Sequence, residues 1–217
     1  IHTLIRNVTD SDVEKIEEQI GIVEKLIKSD EELENQCILF AKSKLFFKKY
    51  GDSNKSMELL MKAIHITLPD FDGKNPLRNN LLTFDEITII NSIAVRHAKK
   101  GDYLTAIQLD LWLKEYMENK IVDGKMKIAK YPMILYNLSN WFGEEKCHKE
   151  ALNMADMGID FCIKYGNLTA FPVLVSNKGV ALAELNQKEE AKKYLHQAII
   201  IFESMKKMEQ VKAIINW

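Results

Sequence analysis

The sequence predicts an all-α protein, and three observations support this fold class. Apolar residues recur at helical spacing along almost the whole chain. The 217 residues include only 9 Gly and 4 Pro, which are too few for the many tight turns of an all-β chain. The chain also contains self-similar segments at long, regular separations, which indicate stacked helical units.

The composition excludes several classes of protein. A hydrophobic fraction of 47% with 28% charged residues is typical of a folded chain and excludes intrinsic disorder. Lys and Arg number 30 against 31 Asp and Glu, so this stretch has no surplus of positive charge for holding DNA or RNA. We find no apolar window long enough to span a membrane and no signal peptide, so no membrane association is expected. Three cysteines without a CxxC pair, Cys37, Cys147 and Cys162, predict reduced thiols in a cytoplasmic protein.

The first half of the chain contains three predicted helices, at about 13–28, 31–50 and 53–68. Residues with N-capping side chains precede each of them, at Thr9–Asp12, Ser29–Asp30 and Asp52–Ser53. Pro69 ends the third helix. Residues 69–82 contain two of the prolines and form the longest predicted linker.

The second half contains further predicted helices, at about 84–99, 103–119, 129–143, 146–165, 168–185 and 187–207, with a short last one from 209. Thr83 and Glu86 have the spacing of a capping box at the start of the first of these. Gly158 and Gly179 lie inside helices, where each costs about 1 kcal/mol relative to Ala. Close packing at these two glycines is expected to offset that cost.

An internal repeat provides the reason for close packing. Small residues at matching positions of successive second helices, Ser56, Ala106, Ala151 and Ala191, are 50, 45 and 40 residues apart. Twelve residues before each of them, on the first helix of each pair, stand Lys44, Ala94, Ser139 and Gly179. Small residues at a crossing let two helices approach closely. We therefore expect N-terminal helices and a first repeat in residues 1–82, and three further repeats in 83–217, as one continuous solenoid.

The repeats resemble those of the tetratricopeptide family. Residues 136–142 (YNLSNWF) and 177–181 (NKGVA) are similar to the family's first-helix signature, and residues 101–106 (GDYLTA) to its turn. The resemblance implies a right-handed superhelix of antiparallel helix pairs, whose first helices line a concave face. Three departures are the repeat spacing above the family's ~34 residues, the missing repeat-closing Pro, and Asp110 at a normally apolar position.

A narrower resemblance is to the C-terminal halves of peptide-sensing transcription regulators of the Rgg and PlcR type from Gram-positive bacteria. Residues 158–167, 177–179 and 188–194 carry it. In that family such repeats follow a short N-terminal helix-turn-helix. We find no helix-turn-helix pattern here, and the chain begins with Ile1, so we expect a fragment that reaches DNA only through a missing N-terminal domain. The resemblance also implies a homodimer, and Trp217 is expected to contact the last repeat or the dimer partner.

The candidate site is a row of asparagines on the predicted first helices. An Asn amide offers both donors and an acceptor, so such a row can pair with the backbone of an extended peptide. The resemblance assigns that role first to Asn137 and Asn177, although Asn at this repeat position also caps or bridges neighbouring helices. The full set of predicted peptide-binding residues is Asn91, Tyr136, Asn137, Asn140, Val173, Asn177 and Val180.

The sequence contains no complete catalytic or metal-binding pattern. Asp70–Gly73 starts like an EF-hand, but its third acidic ligand is missing and Leu81 stands where the loop needs Glu. No enzyme activity, cofactor or metal is expected. Arg96 has two interpretations, a ligand for a peptide carboxylate or a solvated surface residue. The sequence therefore predicts a signal-peptide-binding and dimerisation domain of a transcription regulator. The alternative is a generic tetratricopeptide-type protein–protein scaffold without a small ligand.

Overall fold

The computed structural model describes residues 13–26, 31–77, 81–120 and 122–216, and within these ranges it contains helices and no strand. The helices are α1 (Val13–Leu26), α2 (Glu32–Tyr50), α3 (Ser53–His65), α4 (Phe84–Lys99), α5 (Tyr103–Asn119), α6 (Gly124–Glu144), α7 (His148–Tyr165), α8 (Phe171–Glu184), α9 (Lys188–Ser204) and α10 (Met208–Ile215). The all-α prediction is confirmed. The capping candidates at 9–12 and 29–30, and Trp217, lie outside the described residues.

The start of α6 differs from the prediction, since the helix begins at Gly124 rather than near residue 129. The Asp123 carboxylate caps it by accepting the Met126 N–H. Pro132 then falls inside the helix, where its missing N–H releases the carbonyl of Ile128. The side-chain Nδ2 of Asn167 donates to that carbonyl oxygen at 2.6 Å, so the helix continues through the proline without an orphaned acceptor.

The chain forms two compact units, residues 1–109 and 110–217, with the division inside α5. In the N-terminal unit each helix packs on the next along the chain, α1 on α2, α2 on α3 and α3 on α4. The predicted apolar face of α1, with Ile16, Ile20 and Val23, packs on Ile38 and Leu45 of α2. Neighbours in sequence are thus neighbours in space, as in a helical repeat.

The longest predicted linker is anchored to the N-terminal unit by two histidines. Phe71 is fully buried, and its carbonyl oxygen lies 2.8 Å from Nε2 of His65. The carbonyl oxygen of Gly73 lies 3.0 Å from Nε2 of His97, whose Nδ1 is 3.0 Å from Oδ2 of Asp102. His97 therefore connects the linker, α4 and the turn that follows α4.

In the C-terminal unit, α6 packs on α7, α7 on α8, α8 on α9 and α9 on α10, and α6 also contacts α8. Three of the four turns in this series repeat one backbone geometry, with a left-handed residue at Lys146 (φ 60°), Asn186 (φ 63°) and Lys206 (φ 56°), whereas the turn between α7 and α8 has Gly166 (φ 71°) directly after the helix. After α4, Gly101 (φ 82°) occupies the same place as those three residues. The internal repeat seen in the sequence is therefore also present in the backbone.

The two glycines inside α7 and α8 lie where neighbouring helices approach. A Cβ at Gly158 would lie 2.7 Å from both methyl carbons of Leu174 on α8. A Cβ at Gly179 would lie 2.7 Å from Cγ of Leu195 on α9 and 3.1 Å from the backbone nitrogen of Leu195. The 2.7 Å separations are too short for real carbon contacts, which confirms that the two glycines permit close approach of their helices.

Candidate functional site

A cleft of about 520 Å³ lies in the C-terminal unit, between the C-terminal halves of α6 and α8 and the start of α7. We call it the amide cleft. Small side chains at Gly143, Ala151 and Ala181 leave the space that it occupies. Its complete lining is Ser139, Asn140, Gly143, Glu144, Lys146, His148, Ala151, Asn177, Val180, Ala181 and Glu184.

Helical spacing explains how the two long walls of the cleft are arranged. Residues four or seven apart share one face of a helix. Because α6 contacts α8, a row on each helix runs beside the other. The rows are Tyr136, Asn140 and Glu144 on α6, and Val173, Asn177, Val180 and Glu184 on α8. Within the cleft, each helix therefore contributes an amide and, at its C-terminal end, a carboxylate, while Tyr136 and Val173 continue the two rows beyond the lining.

Two enclosed polar atoms of the lining have no hydrogen-bond partner among the described residues, Oγ of Ser139 and Nδ2 of Asn177. Ser139 is only 2% exposed, so its hydroxyl lies in the interior of the protein. A buried polar atom without a partner costs about 1–3 kcal/mol. The fold tolerates this cost at two lining residues of one cleft. Because these atoms do not reach solvent, a ligand that offers hydrogen-bonding groups would remove the cost only after the side chains rotate toward the cleft.

Charges of both signs surround this polar interior. Glu144 and Glu184 end α6 and α8, where the helix dipole adds negative potential. Lys146 carries the opposite charge, and Nε2 of His148 lies 3.8 Å from a carboxylate oxygen of Glu184. The described residues contain no group of three His, Cys, Asp or Glu side chains placed to hold a metal ion. The cleft is thus equipped for polar recognition by amides and a hydroxyl.

Asn137 has a different environment from Asn177, although the two occupy matching positions of the repeat signature. It is 7% exposed, and its Nδ2 donates to Oδ2 of Asp110 at 3.1 Å. Asp110 is fully buried on α5. The Asn137 amide therefore supports a buried carboxylate at the position that tetratricopeptide repeats keep apolar, and it is absent from the lining of the amide cleft.

The remaining predicted residues lie in three places. Asn140, Asn177 and Val180 come together in the amide cleft. Tyr136 and Val173 are half-buried against a cluster centred on Leu174, and burial raises the pKa of the Tyr136 phenol. Asn91 lies on α4 in the N-terminal unit, where it is half-buried.

Sequence reasoning missed the other lining residues, of which five are polar or charged: Ser139, Glu144, Lys146, His148 and Glu184. Ser139 was recognised only as a small residue of the packing pattern. The two glutamates follow Asn140 by four residues and Asn177 by seven, so helical spacing from those asparagines would have found them. Lys146 and His148 belong to a turn and a helix start, and no pattern in the sequence marks them.

Comparison with known proteins gives matches in fold and none in sequence family. No protein-family model matches the chain, and no curated protein matches its sequence. None of the helices in the described ranges is long and apolar enough to cross a membrane.

Two solved structures of PlcR from Bacillus thuringiensis are similar to this chain, and each is 15% identical to it. The complex with the peptide PapR7 and DNA has a TM-score of 0.76 and covers 94% of this chain and 69% of PlcR. The apo form has a TM-score of 0.75 and covers 99% and 75%.

A second kind of neighbour is a putative kinesin light chain from Podosopora anserina with nearly identical tetratricopeptide-like repeats. The match has a TM-score of 0.59 and 14% identity, and it covers 90% of this chain and 87% of the neighbour. At these identities the likeness establishes the architecture alone. The chain therefore has an all-α, tetratricopeptide-like repeat fold, which it shares with PlcR.

Proposed function

We propose that this chain is the ligand-sensing module of a transcription regulator of the PlcR type, and that it binds a short peptide in the amide cleft. The observation that carries the proposal is the pair of enclosed, unpartnered atoms, Ser139 Oγ and Asn177 Nδ2, in the lining of one cleft. The fold adds support, because the similar PlcR structure holds the peptide PapR7 and DNA.

An extended peptide matches the chemistry of the cleft. Its backbone alternates N–H donors and C=O acceptors, and the amides of Asn140 and Asn177 offer the complementary groups. Each such bond contributes about 0.5–1.5 kcal/mol. Val180, with Tyr136 and Val173 at the N-terminal end of the two rows, supplies apolar contacts for peptide side chains. Asn137 acts on the site indirectly by holding α6 to Asp110. Asn91, on α4 of the N-terminal unit, stays a separate prediction of peptide contact.

Regulation follows if the peptide prefers one arrangement of the module over another. The module then acts as a homodimer in the cytoplasm, and DNA is contacted by an attached N-terminal domain and not by these repeats. Paired DNA half-sites favour such a dimer.

The test is a binding screen of the whole chain against short linear peptides, including peptides encoded beside its own gene, by thermal shift and calorimetry. A binding peptide should raise the melting temperature, and the response should be lost in an Asn140→Ala, Asn177→Ala double variant. Asn153→Ala is the matched control, because Asn153 is an exposed asparagine of α7 outside the cleft. A double variant that binds as well as the parent would refute the assignment of the cleft.

The alternative is a protein–protein scaffold without a small ligand. Apolar side chains exposed in the C-terminal unit favour it, with Ile163 64% and Leu168 57% exposed. A chain that binds no short peptide, while remaining folded, would support this alternative over the sensor.

A further inference from the structure

Arg96 is enclosed in the N-terminal unit. It is 5% exposed, so the interpretation of Arg96 as a solvated surface residue is wrong. Its Nε donates to Oγ of Ser56 on α3 at 2.7 Å. The guanidinium carbon lies 3.6 Å from the centre of the Phe47 ring on α2, within the range of a cation–π contact. The side chain is thus held in one position by α2 and α3.

Lys44 is a second cation close to Arg96. Phe40, Lys44 and Phe47 lie on one face of α2 through spacings of four and three residues. The Lys44 ammonium lies 4.7 Å from the centre of the Phe40 ring. Burial and then the positive charge of Arg96 lower the pKa of Lys44, and burial lowers the pKa of Arg96 to about 10. Both effects indicate cations that the fold does not compensate.

No carboxylate among the described residues forms an ion pair with either cation, in contrast to several exposed lysines of α2 and α3. Lys42 and Lys49 of α2 pair with Glu24 and Glu17 of α1. On α3, Lys55 and Lys62 pair with Glu58. Surface lysines here have partners, whereas the more buried pair of cations, Lys44 and Arg96, shares only aromatic rings and one hydroxyl.

Both side chains keep part of their surface exposed. Lys44 is half-buried, and 5% of Arg96 is exposed. Among the described residues, the terminal nitrogens of Arg96 and the Lys44 ammonium have no hydrogen-bond acceptor. They are not among the fully enclosed side-chain atoms that lack a partner, which are Gln19 Oε1, Ser139 Oγ and Asn177 Nδ2. A ligand would therefore reach the site from the side of Lys44.

We propose that Arg96 and Lys44 form a binding site for a carboxylate group of a ligand. With Nε engaged by Ser56, the guanidinium presents its two terminal nitrogens, which match the two oxygens of a planar carboxylate. The ammonium adds a further donor, and the rings of Phe40 and Phe47 provide an apolar border for the hydrocarbon part of the ligand. A bound carboxylate also removes the repulsion between two like charges in a partly buried place.

The site lies wholly within the N-terminal unit and is independent of the amide cleft. Its carboxylate has two possible sources, the C-terminus of a peptide chain or an Asp or Glu side chain. N-acetyl-L-phenylalanine presents only the former, and N-acetyl-L-glutamic acid α-amide presents only the latter. Saturable binding of either supports the site, and the tighter of the two identifies the source.

The experiment is a titration of the whole chain by NMR, following the Arg96 Nε–H resonance and the Lys44 side-chain carbon next to its nitrogen. We expect saturable shifts with N-acetyl-L-phenylalanine and none with its uncharged amide, N-acetyl-L-phenylalaninamide. The pKa of Lys44 should rise when the carboxylate binds, which a purely structural lysine would not show. Inorganic phosphate is the competing probe.

Lys44→Met keeps most of the apolar stem and breaks no hydrogen bond, so it is the main variant, and Lys62→Met is the control on an exposed lysine. Affinity should fall about tenfold in Lys44→Met and stay unchanged in Lys62→Met. Equal shifts with the amide, unchanged affinity in Lys44→Met, or tighter binding of phosphate than of either carboxylate would overturn the proposal. The Asn140→Ala, Asn177→Ala double variant leaves this site intact. A failure of the carboxylate-site proposal can therefore be distinguished from a failure of the peptide proposal for the amide cleft.

Discussion

Replacement of Gly179 by Ala tests the close approach of α8 and α9. The added methyl carbon would lie 2.7 Å from Cγ and Cδ2 of Leu195 and 3.1 Å from the Leu195 backbone nitrogen. The side chain of Leu195 can rotate away, but its backbone nitrogen moves only if the whole helix α9 moves. The substitution therefore forces the two helices apart.

Two opposing terms determine the size of the effect. Ala gains about 1 kcal/mol over Gly in a helix interior. Overpacking of a well-packed contact costs about 1–3 kcal/mol. The backbone contact places Gly179 toward the upper end of that cost, so we expect a net loss of about 1–2 kcal/mol in the free energy of unfolding. Gly21→Ala is the matched control, because no atom of the described residues lies within 4 Å of its added carbon. That variant should gain about 1 kcal/mol.

The assay is urea unfolding of the three proteins, followed by circular dichroism. A second comparison uses Leu195→Ala, which removes the atoms that meet the new methyl. In the double variant with Gly179→Ala the two losses should be less than additive by at least about 0.5 kcal/mol. If Gly179→Ala stabilises the protein as much as Gly21→Ala does, the reasoning about the helix crossing is refuted.

Four further predictions concern single residues. Asn137→Ala should lower the free energy of unfolding by about 1–3 kcal/mol, because it removes a donor from buried Asp110. Asn177→Ala breaks no bond of its Nδ2 and removes a buried atom without a partner, so in the same urea titration it should leave the free energy of unfolding unchanged or raise it. Lys206→Gly should stabilise by about 0.5–1 kcal/mol, since φ is 56° there, and a lower midpoint would contradict this. Asn167→Ala should cost about 1 kcal/mol by orphaning the Ile128 carbonyl, and the cost should vanish in a Pro132→Ala background, where the restored N–H takes over. For Lys44 the pKa is lowered on folding from its ordinary 10.5, so the unfolded chain binds the proton more tightly. The stability of the parent relative to Lys44→Met should therefore rise with pH from the folded pKa toward 10.5, and a difference that is flat over that range would exclude an uncompensated cation.

The helices themselves were predictable because their signals are local. The apolar face of α1, the capping box at Thr83 and Glu86, and the turn at Gly101 each depend on residues within a few positions of one another. The start of α6 was not predictable in this way. Pro132 favours a later start of the helix. The compensating donor is Asn167, which follows Ile128, the residue with the released carbonyl, by 39 residues. Only the packed structure brings that amide to the released carbonyl.

The candidate site likewise combines features that the sequence predicts with features that depend on how the helices pack. Periodicity and repeat spacing by themselves determined an all-α repeat protein, placed amides on the first helices of three pairs, and explained two costly glycines, because these features follow from helical geometry along the chain. Asn137 and Asn177 are equivalent in sequence, yet one supports buried Asp110 and the other lines a cleft with an unpartnered nitrogen. Arg96 likewise changes from a surface residue to an enclosed cation once α2 and α3 pack around it. Tertiary structure alone decided these roles. Whether a buried polar group has a hydrogen-bond partner depends on residues of another helix, and their distance along the sequence is too great for any local pattern to encode.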